Sequence, residues 1–169
     1  MPEQTQQIRI ETPSRNLIVV HGLTVNYDQT PTEAIKGLPD NNSLIASSFP
    51  QALWNGGKSG IVEGVTIPIY WPRQSFSTSG GRQMQSEIGY GLPAELAALR
   101  SEDVRKALWD AGIWALVALQ EKDEGLWLDP YGYLRPVVLR LVPCCRGFRL
   151  GSADVGWDDS YALVGAPQV

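Results

Sequence analysis

Apolar positions along this chain come in short blocks, and each block carries one of two periods. Residues 17–20, Leu-Ile-Val-Val, form a β-branched run that His21-Gly22 interrupts and residues 23–27 resume. This pattern predicts a bent strand or two short ones, with Gly22 supplying the backbone of a bulge. Residues 64–70 alternate in part and predict another strand, placed at an edge because Pro68 has no N–H to give a ladder. Residues 113–119 are continuously apolar and follow Gly112 too closely to be more helix, so they predict a buried strand. Further strands are expected at 137–142, 147–150 and 161–164. Short glycine-containing links join them, which favours an antiparallel meander.

The helical period is clearest after Ser101-Glu102-Asp103-Val104. Ser101 is the cap, two acids sit at the positive end of the helix dipole, and Val104, Ala107, Leu108 and Ala111 make one apolar face that Gly112 ends. Trp109 lies off that stripe. Thr30-Pro31-Thr32-Glu33 is a capping box with proline at the first helical position, and Gly37 and Pro39 stop the short helix it starts. Pro93 opens a helical turn over 94–99. Residues 40–60 read as irregular. Residues 72–93, rich in Ser, Gly and Gln, read as a loop-rich insertion. The expected organisation is a polar N-terminal arm, 1–16, with one strand-like piece at Ile8-Arg9-Ile10, and a single α+β domain over 17–169. That domain has an antiparallel sheet of about six strands with two or three short helices packed on it.

Composition narrows the function classes. With 43% hydrophobic and 19% charged residues, the 169-residue chain reads as an ordinary soluble domain, without the apolar run of a membrane span or a secretion signal. The cytoplasm is the expected compartment. A net charge of −4 argues against non-specific phosphate binding. Arg135, Arg140, Arg146 and Arg149 form the densest basic set, read as solvated strand faces unless they make a nucleic-acid stripe. The two cysteines, Cys144 and Cys145, are neighbours. They read as free thiols on a strand, pointing to opposite faces with at least one buried.

Three segments together resemble a family of short bacterial proteins known mainly as uncharacterised sequences. They are Val25-Asn26-Tyr27-Asp28 with Glu33-Ala34-Ile35 and Phe49-Pro50; Ser101-Glu102-Asp103-Val104 with Leu108, Ala111-Gly112 and Leu116-Val117-Ala118-Leu119; and Arg149-Leu150 with Trp157 and Tyr161-Ala162-Leu163-Val164. The chain departs from that pattern where Ile113 follows Gly112 directly, without a second helix between them. The resemblance implies a fold and a bacterial or phage-like origin. It implies no catalytic residue.

Four constellations carry chemistry in principle. Ala52-Leu53-Trp54-Asn55-Gly56-Gly57-Lys58-Ser59 satisfies a loose phosphate-loop pattern. That mechanism needs a strand before the loop and a helix after it, whereas Gly60-Ile61-Val62 predicts a strand, so a turn is the plainer reading. His21, the sole histidine, follows an apolar strand, but the Gly-x-Ser-x-Gly elbow of α/β-hydrolases is absent. A hydrolase would have to pair His21 with a cysteine or an acid. The paired acids Glu102-Asp103, Asp123-Glu124 and Asp158-Asp159 read as caps and turns. Aromatic and arginine side chains gather in the irregular middle: Trp54, Tyr70, Trp71, Arg73, Arg82 and Tyr90. These are the residue types enriched at binding hot spots. The expected function is therefore a small, non-enzymatic binding or accessory protein that contacts another protein through those six residues. No cofactor, metal site or membrane is expected. A hydrolase using His21 is the alternative, and nucleic-acid binding, disfavoured by the acidic balance, is the second.

Overall fold

The computed structural model describes residues 8–168. Residues 1–7 of the expected arm lie outside that range. The fold is α+β. A seven-stranded sheet has the order β1-β2-β3-β9-β4-β7-β8, and a two-stranded sheet pairs β5 with β6. The large sheet is built from β1 (Arg9–Ser14), β2 (Leu17–Asn26), β3 (Ile61–Tyr70), β4 (Ala115–Ala118), β7 (Val137–Arg140), β8 (Gly147–Leu150) and β9 (Tyr161–Val164). The small one is the hairpin of β5 (Trp127–Leu128) and β6 (Leu134–Arg135). Six helices accompany them among the described residues: α1 (Pro31–Ile35), α2 (Ser43–Ser48), α3 (Gln51–Asn55), α4 (Thr78–Met84), α5 (Pro93–Ala97) and α6 (Glu102–Ala111). None is long and apolar enough to cross a membrane.

Local chemistry explains the long elements. The β2–β3 register shifts between Val20 and Leu23, where Gly22 takes φ +78°, so the expected bulge is present. In α1 the Thr30 hydroxyl accepts from the Glu33 amide at 3.1 Å, and the Glu33 carboxylate accepts from the Thr30 amide at 3.1 Å. The backbone and hydroxyl of Thr30 hold the Glu33 carboxyl below its ordinary range. α6 starts on the Ser101 cap and ends at Gly112 as expected. Its buried face differs from the expected stripe. Val104, Arg105 and Leu108 are buried, while Ala107 and Ala111 are exposed. Arg105 is tolerated there because each of its three guanidinium nitrogens has an acceptor. It grips Glu102 through two N–H donors (2.9 and 2.7 Å) and gives a third to the Leu141 carbonyl at 2.6 Å. The same ion pair lowers the Glu102 carboxyl.

Three expectations are corrected. Pro68 is not on an edge, because β3 lies between β2 and β9. Its carbonyl accepts from Gly165, so its nitrogen faces the same side and takes no hydrogen bond from the β2 ladder. The late strands form an antiparallel run only as far as β4, β7 and β8, and the last strand does not continue it. β9 inserts between β3 and β4, and pairs with β4 in parallel, Ala115 opposite Tyr161 and Val117 opposite Leu163. The irregular stretches are also more ordered than the sequence suggests. Residues 40–60 hold α2, capped by the Asn42 side chain, and α3, while 72–93 hold α4, capped by Ser77. Residues 9–14 of the supposed arm are β1.

The sheet divides the apolar residues by alternation. Ile18, Val20, Ile67, Ile69, Leu116, Leu139, Phe148, Ala162 and Val164 face a core shared with α1, α3, α5 and α6. Ala115, Val117, Val138 and Leu163 face the other side, where Phe76 and Trp157 cover them. The outer edge of β8 is closed by residues 40–42: the Asp40 amide donates to Arg146 and the Asn42 amide to Phe148. Gly147 makes this approach possible, since a Cβ there would collide with the Asp40 backbone. Gly147→Ala is expected to cost about 1–3 kcal/mol, the usual range for overpacking. An unchanged thermal midpoint would show that residues 40–42 give way freely.

Candidate functional site

The second face of the sheet is only partly covered, and there the side chains of four strands define a cleft. Tyr161 of β9, Ala115 of β4 and Arg140 of β7 are register partners in one row. Leu163, Val117, Val138 and Arg149 make the next row. The small Ala115 between two long neighbours leaves a hollow. The walls are added by Trp114, which precedes β4, and by residues 151–160. The cleft has a volume of about 280 Å³ and is lined by Trp114, Arg140, Arg149, Trp157, Asp158 and Tyr161 among others. That is just below the range typical of small-ligand pockets, and it mixes aromatic surface with a few charged groups. Three shallower hollows adjoin it, and all four share Asp158 as a wall.

The walls are held from behind. Trp114, 54% exposed, leans on Trp109 with ring centroids 5.3 Å apart. Trp157 meets the Tyr161 ring edge-on at 5.3 Å, and its backbone pairs with Phe76. Asp158 accepts from the Ser160 amide at 2.8 Å and from the Ser160 hydroxyl, a local turn that fixes the carboxylate. Burial and the Asp158 charge raise the Tyr161 phenol above its ordinary range, against the pull of Arg140. The phenol is therefore a neutral hydrogen-bonding group near neutral pH. Asp40 carries the two arginines, at 2.9 Å from Arg149 and 3.8 Å from Arg140.

The six residues expected to form a contact surface have other duties. Trp54 is entirely buried, wedged between Phe49 and Phe148, and offers nothing to a partner. Trp71 is also buried, and its indole N–H donates to the Asp159 carbonyl at 2.8 Å. Arg73 stacks on the Trp71 ring at 4.0 Å and donates to the Arg15 carbonyl, which holds its backbone in the left-handed region at φ +59°. Arg82 binds the Gln120 carbonyl and Asp123. Tyr90 donates to the Arg82 carbonyl at 2.7 Å, and Tyr70 is half-buried against the second apolar cluster. Of the six, Trp71 alone borders the corner at Asp158, in the hollow it shares with Trp114.

The other constellations also resolve into structure. Lys58 of the phosphate-loop string sits 3.4 Å from Glu95 and over the Tyr27 ring, and β3 follows where a helix would be needed. Asp28 accepts from the Gly60 amide at 2.9 Å. His21 bridges neighbouring strands, with Nδ1 3.0 Å from the Thr66 hydroxyl and Nε2 3.4 Å from the Glu11 carboxylate. Of the two partners a hydrolase would need, it therefore meets an acid but not the cysteines, which lie beyond β7, four strand intervals and roughly 19 Å away across the sheet. Cys144 and Cys145 are not free thiols and neither is buried. They are joined as a vicinal disulfide in the turn between β7 and β8, where residues no longer alternate across a sheet. The basic set does not make an open stripe. Arg135 pairs with Asp129, Arg146 with Glu102, and Arg140 and Arg149 with Asp40. No group of three or more His, Cys, Asp or Glu able to hold a metal occurs among the described residues.

In the sequence pattern the cleft residues Trp114, Asp158 and Tyr161 read as strand and turn residues. The available signal was alternation: Arg140 and Arg149 occupy the same side of their strands as Val138, while their neighbours Leu139, Phe148 and Leu150 are core. Comparison with known proteins finds no matching family model, no matching curated protein and no matching solved structure.

Proposed function

We propose that this chain is a non-enzymatic binding protein and that the corner around Asp158 is where it holds another protein. The observation that carries this reading is Trp114. A large aromatic side chain more than half exposed, backed by a second tryptophan and standing beside two arginines, is the composition of an interface hot spot. The concave wall fits a projecting peptide segment better than a flat surface. Fixed side chains reduce the ordering needed on binding. The serine hydroxyl of the cleft, Ser160, is engaged by Asp158 in its own turn, which accounts for that pair without a reaction.

A selection of displayed random peptides on the intact protein tests the reading. Selected peptides are expected to bind Trp114→Ala at least tenfold more weakly than the parent protein, equivalent to about 1.4 kcal/mol. The thermal midpoint should move little, because the side chain is exposed. Peptides that bind both proteins equally, or a selection no better than on an unrelated protein, would sink the proposal.

A further inference from the structure

The chemistry of the cleft also specifies what the bound segment presents, if the preceding reading holds. Arg140 and Arg149 both line the cleft, with side chains 38% and 40% exposed. Asp40 touches both guanidiniums without lining the cleft. Its carboxylate uses one N–H of Arg149 at 2.9 Å, and its approach to Arg140, at 3.8 Å, is too long for a hydrogen bond. Among the described residues the Arg140 side chain makes no hydrogen bond. A guanidinium is a planar fork of donors that matches the two oxygens of a carboxylate. The arginine pair thus presents unused donors into a hollow whose other walls are the rings of Trp114, Trp157 and Tyr161.

We infer that the Arg140–Arg149 pair is a carboxylate-binding subsite, taking an acidic side chain that sits next to an aromatic or apolar residue in the bound segment. The carboxylate lies on the Arg140 fork while the neighbouring ring packs on Trp114 and Tyr161. Charge selects a monoanion. The two arginines are already faced by Asp40 and, across the cleft, by Asp158. A singly charged group adds one negative charge to a balanced set, whereas a phosphate near its dianionic state adds almost two. Asp40 then acts as a competitor for the arginines, held in place until the ligand arrives.

Blocked tetrapeptides that carry Phe beside Glu, in both orders, together with their Gln and phosphoserine counterparts, test this by calorimetry or tryptophan fluorescence. The better Glu peptide is expected to bind at least tenfold more tightly than its Gln counterpart at low salt, and the gap should narrow as salt rises. Arg140→Gln should reduce the difference to within twofold. Asp40→Asn should tighten the Glu peptide severalfold, an effect opposite to that of a merely structural Asp40. A circular-dichroism melt confirms that each variant is folded. Equal binding of the Glu and Gln peptides overturns the inference and leaves the peptide-binding reading standing. Tighter binding of the phosphoserine peptide also overturns it, as does a failure of every Glu peptide to bind. The displayed-peptide selection then decides the broader reading on its own.

Discussion

Trp54→Ala is expected to remove about 3–5 kcal/mol of stability, the range for truncating a fully buried aromatic. The indole is 0% exposed. Its ring lies 5.5 Å from Phe49 and 5.6 Å from Phe148, both in edge-on geometry, so it joins α3 to β8 across the core. Phe49 in turn packs on Trp127 at 5.2 Å, which extends the contact to the small hairpin. Trp54→Phe should cost markedly less. The indole nitrogen has no hydrogen-bond partner among the described residues, so phenylalanine forfeits volume and no polar contact. Urea unfolding of both variants checks this through the midpoint at constant slope. A Trp54→Ala protein within 1 kcal/mol of the parent would mean that the core closes over the missing ring without strain, contrary to the dense packing around it.

The second large effect is expected at Glu95, whose side chain is 1% exposed. One carboxylate oxygen accepts from the Leu92 amide at 2.7 Å and so caps the first turn of α5. The other accepts from the Tyr27 hydroxyl at 2.6 Å and faces the Lys58 ammonium at 3.4 Å. Burial, reinforced by the Glu95 hydrogen bond and charge, pushes the Tyr27 phenol well above its ordinary range, so Tyr27 is held as a neutral donor. Glu95→Ala leaves a buried hydroxyl and a part-buried amide without partners, the hydroxyl worth about 1–3 kcal/mol and the amide less. We therefore expect a loss of about 2–4 kcal/mol in total, since the two effects share one side chain and do not add in full. Lys58→Ala should stay under about 1 kcal/mol, because the ammonium is 53% exposed and screened by water. A double-mutant cycle between Tyr27 and Glu95 isolates the pair. A coupling near zero would show that the hydroxyl finds another acceptor when the carboxylate is gone.

The sequence revealed the parts of the fold whose causes are local. The capping box at Thr30, the Ser101 cap, the bulge at Gly22 and the apolar run of β4 each depend on residues a few positions apart. The short helices α2, α3 and α5 contain five or six residues and could not persist on propensity alone, so their stability comes from the core they pack against. Only α5 carries a strong local signal, its leading proline. The placement of β9 was invisible for a different reason. Nothing in Tyr161-Ala162-Leu163-Val164 specifies that its partners are 46 to 95 residues earlier. The candidate site was partly legible: Arg140 and Arg149 stood out as basic, and the aromatics stood out as numerous. Which aromatics face solvent is decided by the sheet register, and so Trp54 looked as available as Trp114.

The place of β9 also constrains how the protein comes into being on the ribosome. β1, β2 and β3 form one ladder and β4, β7 and β8 another, and within the large sheet the two meet only through residues 161–164. A nascent chain that has emerged as far as β8 holds two half-sheets, each with an open edge of the kind that pairs promiscuously with other chains. Release from that hazard waits until β9 has emerged, when one four-residue strand splices the halves together.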